Sequence, residues 1–551
     1  MRSISQAIRL AQALLLGCLV TSCGAPPQSP AGTVRFDLAA DPTTLDPLFM
    51  HADAATVELE VDRLMFEPFI DLDPSGRPVP ELLAQIPSKE NGGLSADGRT
   101  ITYHLRPGVR WSDGVPVTSA DVLFTLHAIL DPRNPVRSHE GYDLIDRAWA
   151  RNAHTVVFHL RRAWAPAVMT YFSYGFSPQF VLPAHVLRDE APLEQAPFGS
   201  APSVVDGPYA FVSWLRGDRI ELMANPRYWR GRPRVARLDI RIVADPNTNL
   251  VLLRSGQIDF NLLAPVQWEI VRNVPDLRFV RVPTAVVAGI SINTSHPPLD
   301  DVRVRRAIAM SIDRAGITRR ITLGNYVVTN AIQPQFSWAF DPRVAQPRYD
   351  PRAADALFDA AGWRRGRDGM RARDGKPLSL VYVAFPETAS GVRIADEIAE
   401  ELHLRGVAVE IKSISNAQLF LPVTGTLAMG NYDLAYVPWT MGSDPDDSSV
   451  LTCGAPANYM RWCDRRVDAL ESQALGATSQ TQRKALYARI ERIVAQQVPI
   501  LYLFNARYIY AYRSRLLNFH PNAFVPTWNA YDWSLEPGKS PSAPRLRPSL
   551  R

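Results

Sequence analysis

Residues 378–439 set down an order of segments that leaves few folds open. Leu378 to Phe385 is an apolar, β-rich run. Gly391 to Arg405 places Ile394, Ile398 and Leu402 four residues apart, on one face of a helix, with Ser390 as its expected cap and Gly406 as its stop. Val407 to Ile414 alternates as a strand does, and Tyr432 to Trp439 is a further apolar strand. Strand, helix, strand in that order predicts a right-handed parallel crossover. Sheets of this kind hold ligands beyond the carboxyl ends of their strands. Two loops qualify, Pro386–Arg393 and Thr440–Asp447, and they share one rim if both strands point the same way.

The rest of the chain extends this α/β pattern. Strands are predicted at Thr33–Ala39, Thr100–Leu105, Thr155–Leu160, Arg219–Ala224 and Leu238–Val243. Helices are predicted at Val57–Phe66, at Thr118–Leu130 with Thr118 as N-cap, and from Asp245-Pro246 through Arg254. Three more are predicted at Asp301–Arg319, Pro351–Ala361 and Gln480–Gln497. At 551 residues the chain exceeds what one hydrophobic core serves, so more than one domain is expected. No internal repeat is visible.

The N-terminus reads as an export signal. Arg2 and Arg9 precede an apolar run, Leu10–Val20, that is shorter than the about 20 residues a bilayer span needs. The run ends in Val20-Thr21-Ser22-Cys23, which resembles the lipobox of bacterial lipoproteins; Cys18, after Leu16-Gly17, is a second candidate. Residues 1–22 are therefore expected to be removed and Cys23 acylated, tying the protein to a membrane by lipid alone. Residues 23–33 have the Pro/Gly/Ser composition of a tether. Losing Arg2 and Arg9 lowers the net charge from +5 to +3. That excess is small and no Lys/Arg stripe concentrates it, so no nucleic-acid partner is expected. Cys453 and Cys463 would remain in an oxidising space, and a disulfide between them is expected. A metal site there lacks partners, the nearest histidine in sequence being His403.

Four groups of residues carry a resemblance. Leu105-Arg106-Pro107-Gly108-Val109-Arg110-Trp111-Ser112-Asp113-Gly114 leads into Thr118-Ser119-Ala120-Asp121-Val122: a strand end, a Trp anchor, an Asp-Gly turn and a capped helix. Gly207-Pro208-Tyr209 follows, then Asn225-Pro226-Arg227-Tyr228-Trp229 and Ser255-Gly256-Gln257-Ile258-Asp259. Asn293 to Leu299 runs into Asp301-Val302-Arg303-Val304-Arg305-Arg306-Ala307-Ile308. Last come Asn431-Tyr432-Asp433-Leu434, the loop from Trp439 to Pro445, and the cysteine pair. In this order, over roughly residues 33–520, they resemble the extracytoplasmic solute-binding proteins of the dipeptide/oligopeptide/nickel ABC importers, bacterial solute-binding protein family 5.

The resemblance implies a two-lobed α/β fold of periplasmic binding protein type II, with an extra domain and mixed sheets flanked by helices. Lobe I would comprise 34–66, 164–290 and 506–535, the extra domain 67–163, lobe II 291–505, and 536–551 a disordered tail. A monomer is expected to bind a peptide or another small solute, with an ABC permease and its ATPase subunits as partners and no cofactor. Dipeptide-binding relatives take the ligand ammonium on an Asp in the loop after the strand corresponding to Tyr432–Trp439. Here that loop is one residue shorter, and the position falls near Met441 or Gly442, with Thr440 beside them. Asp444 is the substitute on offer, although an Asp-Pro pair also forms turns. Arg393 lies near the relatives' carboxylate-binding Arg, and Trp439 would cover ligand backbone or fill core. Asn293, Thr294 and Ser295 would offer edge groups near the hinge. Phe36, Leu45 and Asp46, near the end of the first lobe's strand, are further candidates for ligand contact.

Enzyme signatures are missing from the sequence: there is no G-x-S-x-G, no H-E-x-x-H and no G-x-G-x-x-G. Gly538-Lys539-Ser540 imitates the end of a P-loop, but Trp533 stands where its first Gly belongs. A binding protein is expected, not an enzyme.

Overall fold

The computed structural model describes residues 32–49, 55–136, 138–174, 178–384 and 389–536. The expected signal segment, Cys23 as the expected site of acylation, most of the expected tether and all of the expected tail but Glu536 lie outside them. The chain opens with β1 (Thr33–Leu38) and α1 (Ala55–Met65). It then builds a three-stranded antiparallel sheet from β2 (Thr100–His104), β3 (Ile145–Asn152) and β4 (Thr155–Leu160), in the order β2-β4-β3, with α2 (Ser119–Leu130) alongside. The predicted cap of α2 forms as a capping box: Thr118 Oγ1 accepts from Ala120 N, and the Asp121 carboxylate accepts from Thr118 N at 2.8 Å. Trp111 is fully buried, and the Asp113-Gly114 turn closes behind it with Gly114 in the left-handed region (φ +102°). The chain returns to β1 through β5 (Tyr209–Leu215), β6 (Arg219–Ala224) and β7 (Arg237–Ile242), which make a second sheet ordered β1-β7-β6-β5.

A large mixed sheet follows. Its strands are β8 (Phe260–Leu263), β9 (Leu277–Ile292), β10 (Ser379–Ala384), β11 (Ala408–Ser413), β12 (Leu434–Thr440) and β13 (Ile500–Arg513), in the order β8-β13-β9-β12-β10-β11. The crossover expected from residues 378–414 is present: β10 and β11 pair in parallel, joined by α3 (Ala389–His403). β12 pairs in parallel with β10, so the carboxyl ends of these two strands point the same way, while residues 385–388 of the first expected loop lie outside the described residues. Two details depart from expectation. The helix expected over Asp301–Arg319 is two, Val302–Ser311 and Arg314–Thr322, because Asp313 caps the second by accepting from Gly316 N. Ser390 lies inside α3 instead of capping it.

Two hydrophobic cores divide the molecule. One gathers residues between Val34 and Ile240 with Tyr510 to Trp533; the other gathers residues between Val287 and Phe504. β9 and β13 run through both, with Val282 in the first core and Val287 in the second. Between the cores their ladder breaks: Pro283 pairs with Arg507, and the next pair is Val287 with Asn505. The Asn505 amide spans the gap, donating to Thr284 O (2.9 Å) and Val286 O (2.8 Å), while Thr284 Oγ1 donates to Ala506 O. Buried backbone carbonyls freed by the irregularity are thus paired. No helix among the described residues is long and apolar enough to cross a membrane.

Candidate functional site

A cavity of about 940 Å³ lies between residues 138–173, beside the small sheet, and residues 416–459 of the second core. One wall is the carboxyl end of β12 and the loop after it. β12 is held on both sides, antiparallel to β9 from Leu434↔Ile292 to Thr440↔Val286, and parallel to β10 at Tyr382↔Leu434. Trp439, Thr440, Met441, Gly442 and Asp444, all expected at the site, line the cavity. Trp439 is 5% exposed, packs in the second core and lines the cavity wall.

Asp444 reaches the wall, yet its carboxylate is already engaged. Helix α4 (Arg465–Gly476) leads to α5 (Gln480–Gln497), whose first turn carries Arg483. The Arg483 guanidinium grips Asp444 in a fork, at 2.7 and 2.5 Å, with both side chains under 10% exposed. Asp444 Oδ1 also accepts from Asp446 N (3.1 Å). The loop is pinned further along, where Gln333 Nε2 donates to Pro445 O (2.8 Å) and Asp447 Oδ2 (3.0 Å). The fork is a charge-assisted bond in a dry setting and fixes the loop. Asp444 is therefore an anchor of the wall, which corrects the expectation that it offers a free carboxylate to an ammonium.

Four expected residues stand elsewhere. Asn293 and Thr294 follow β9 at the end where Leu434 begins β12, about six residues or 20 Å along the strand from Thr440. Asn293 is fully buried and donates to Gly430 O and Tyr432 O, closing that opposite end of the sheet. Thr294 donates to Met460 O through both N and Oγ1. Leu45 is fully buried in the first core. Arg393 is exposed on α3 and does not line the cavity. The cause is a length difference: Val383 lies level with Ala435, so β12 runs about four residues past the end of β10 and leaves the start of α3 behind. The space beyond is filled by a short helix at Asn416–Phe420, where Asn416, Ala417 and Phe420 line the cavity.

Sequence reasoning missed the facing wall. Glu140, Tyr142, Met169 and Ser173 come from turns of the segment that follows α2 and the small sheet. Gly141, with φ +76°, opens a single 3-10 turn at Tyr142–Leu144, and Tyr171 Oη donates to Gly141 O (2.7 Å). Such turns carry no periodicity; the one local signal is His139-Glu140-Gly141, a polar turn ahead of a buried tyrosine. The walls touch where Ser443 Oγ donates to Met169 O (3.2 Å), and nearby Ala165 N donates to Leu475 O (2.7 Å).

The lining is acidic. Burial, followed by the charges of Asp446 and Asp444, raises the Glu140 carboxyl above its usual range. Burial likewise raises Asp446, against a bond from Ser448. No lysine, arginine or histidine lines the cavity among the described residues. Below the loop, Cys453 and Cys463 are joined as expected, with S–S 2.13 Å.

The profile of the bacterial extracellular solute-binding proteins, family 5 middle, matches residues 78–460. The chain is 28% identical over 453 residues to di/tripeptide-binding protein 2 of Pseudomonas aeruginosa, covering 75% of this chain and 79% of that protein. Its fold is similar to the oligopeptide-binding protein AppA of Bacillus subtilis in complex with a nonapeptide (TM-score 0.74, 21% identity, 92% of this chain and 99% of that one). It is also similar to NikZ of Campylobacter jejuni in complex with Ni(L-His) (TM-score 0.76, 23% identity, 92% and 100%).

Proposed function

Since the chain belongs to family 5 of the bacterial extracellular solute-binding proteins, we propose that it captures a peptide between two lobes and hands it to the permease and ATPase subunits of an ABC importer. Residues 34–66, 164–290 and 506–535, with 67–163 added, would form one lobe, and 291–505 the other. Acylated Cys23 would hold the protein at the membrane on the extracytoplasmic side. The observation that carries this reading is the cavity lined from both sides of the molecule, its walls joined by Ser443 and Met169. Binding energy gathered on both walls is what favours a closed form over an open one.

An oligopeptide fits better than a dipeptide. The volume stands at the upper end of the about 300–1,000 Å³ of small-ligand sites. A dipeptide brings a carboxylate close behind its ammonium, and the described lining offers that carboxylate no base. Native mass spectrometry of the exported chain, partly unfolded to release its ligand, tests the reading. A set of co-purified peptides of three or more residues is expected. A single non-peptide mass, such as a metal chelate, an opine, a glycoside or haem, would replace the peptide by another solute on the same fold.

A further inference from the structure

Away from the cavity, positive charge gathers where the described chain begins and ends. Arg237 opens β7 and pairs in register with Thr33, which opens β1. Gly32 O, just ahead of Thr33, accepts from Ala236 N (2.9 Å) and Arg237 N (3.3 Å). The approach to β7 reads Arg232-Pro233-Arg234-Val235-Ala236-Arg237, in which Pro233 and Val235 are buried and the three arginines are exposed. None of the three makes an ion pair or a side-chain hydrogen bond among the described residues. The fold does not use these charges, so they are open to a partner. Both chain ends leave at this place. Arg515 Nη2 donates to Thr33 O (3.3 Å), and Arg515 O accepts from Glu536 N (2.8 Å), so a single arginine links Thr33 to Glu536. Tyr531, shortly before Glu536, accepts from Arg230 of the same basic run at 3.2 Å. Beyond Glu536, residues 537–551 include Lys539, Arg545, Arg547 and Arg551 and no acid. Ahead of Gly32, residues 24–31 carry no charge. Residues 24–32 reach about 30 Å when drawn out in full, and about 17 Å as a flexible coil. A lipid on Cys23 would therefore keep this face within a few Debye lengths of a bilayer, one length being about 10 Å.

We propose that this face is a membrane-contact surface: Arg232, Arg234 and Arg237, joined by the cations of residues 537–551, bind the anionic headgroups of phospholipids beside the lipid anchor. The inference rests on the reading of Cys23 as acylated, which brings the face to the membrane. A lipid on a tether limits distance but lets the body turn. A second contact made by charge sets which side of the protein faces the bilayer. Each cation near an anionic lipid surface strengthens partition by about fivefold. Such recognition reads charge and not shape, so lysine serves as well as arginine.

Co-sedimentation with vesicles tests the face without the anchor. The chain from Gly24 onward, which lacks Cys23, is mixed with vesicles of equal parts phosphatidylglycerol and phosphatidylcholine, and with vesicles of phosphatidylcholine alone. At low salt it should bind the anionic vesicles at least about a hundredfold more strongly, and the preference should vanish near about 0.5 M salt. Arg232→Ala, Arg234→Ala and Arg237→Ala combined should weaken anionic binding by at least about tenfold. Arg232→Lys, Arg234→Lys and Arg237→Lys combined should keep it. Lys539→Ser, Arg545→Ser, Arg547→Ser and Arg551→Ser combined should weaken it by a similar factor of about ten. The three arginines are exposed, and thermal melting checks that their variants remain folded. Equal binding to both kinds of vesicle, or a folded triple alanine variant that binds as the wild type does, would overturn the proposal. So would a loss shown by the serine variant alone. Mass spectrometry of the exported chain judges the anchor separately: a mass without acyl chains defeats the reading of Cys23, while the vesicle result still decides the face.

Discussion

The cavity has two walls made in opposite ways. The wall from β12 continues a strand paired on both sides, and the loop beyond it is gripped by Arg483 and Gln333. The wall from residues 138–142 and 166–173 is made of turns and one short helix, shaped by one left-handed glycine and held by tyrosine hydroxyls. A charged anchor in a dry core stiffens the first; close packing at a few points shapes the second. The difference teaches which wall can serve as a platform and which as a cover.

If the platform depends on the fork, removing half of it should have the largest effect. Asp444→Ala leaves Arg483 buried without its partner and is expected to cost about 3–5 kcal/mol. Urea unfolding measures this, and a loss below about 1 kcal/mol would erase the contrast between the walls. Opening the disulfide as Cys453→Ser should weaken the same side by somewhat under about 3 kcal/mol, since the closed ring is short. Under reducing conditions the two proteins should then melt alike. On the cover, Gly141→Ala places a methyl group against the Trp164 ring at a positive φ, and about 2 kcal/mol of destabilisation is expected. Ligand affinity should fall with it, because Glu140 is the preceding residue. Ser443→Ala, which removes the bond to Met169, should weaken ligand binding by less than about tenfold and leave unfolding within about 1 kcal/mol.

Acidity tests both halves at once. Burial raises Asp46 in the first core to about 7 and Asp447 in the second to about 6. These pKa values exceed the unfolded value near 4, so between pH 4 and 7 the folded state holds more protons than the unfolded one. Stability then falls as pH rises through that window, and the melting temperature should be a few degrees higher at pH 5 than at pH 8. A flat profile would show that the buried acids find compensating partners.

The platform was legible in the sequence and the cover was not. Leu434–Trp439 is an unbroken apolar run, and the loop from Trp439 to Pro445 follows it directly, so periodicity and resemblance both pointed there. What periodicity could not supply was relative strand length. Arg393 misses the cavity because β12 outruns β10, a fact of register and not of composition. Asn293 misses it because β9 and β12 are antiparallel, which puts the end of one beside the start of the other. The duty of Asp444 was hidden in a helix 39 residues away, at Arg483. Glu140 became a site residue only through tertiary placement. The break at Asp313 was readable, since an Asp three residues before the glycine whose amide it accepts is a cap signal inside the run expected as one helix.

The gap in the ladder of β9 and β13 also has a mechanical meaning. Thr440 is paired with Val286, so the cavity-lining end of β12 stands beside the interruption that Asn505 bridges. A rotation of one lobe on the other about that point would make it a fulcrum. Trp439 and Thr440 would then lie on the shortest lever arm and travel little, keeping hold of whatever rests on them throughout the stroke. Glu140 and Met169, on the opposite wall, would sweep the longer path. A group at the fulcrum holds its load without sensing the angle, and a group at the end of the arm reports whether the jaw has shut.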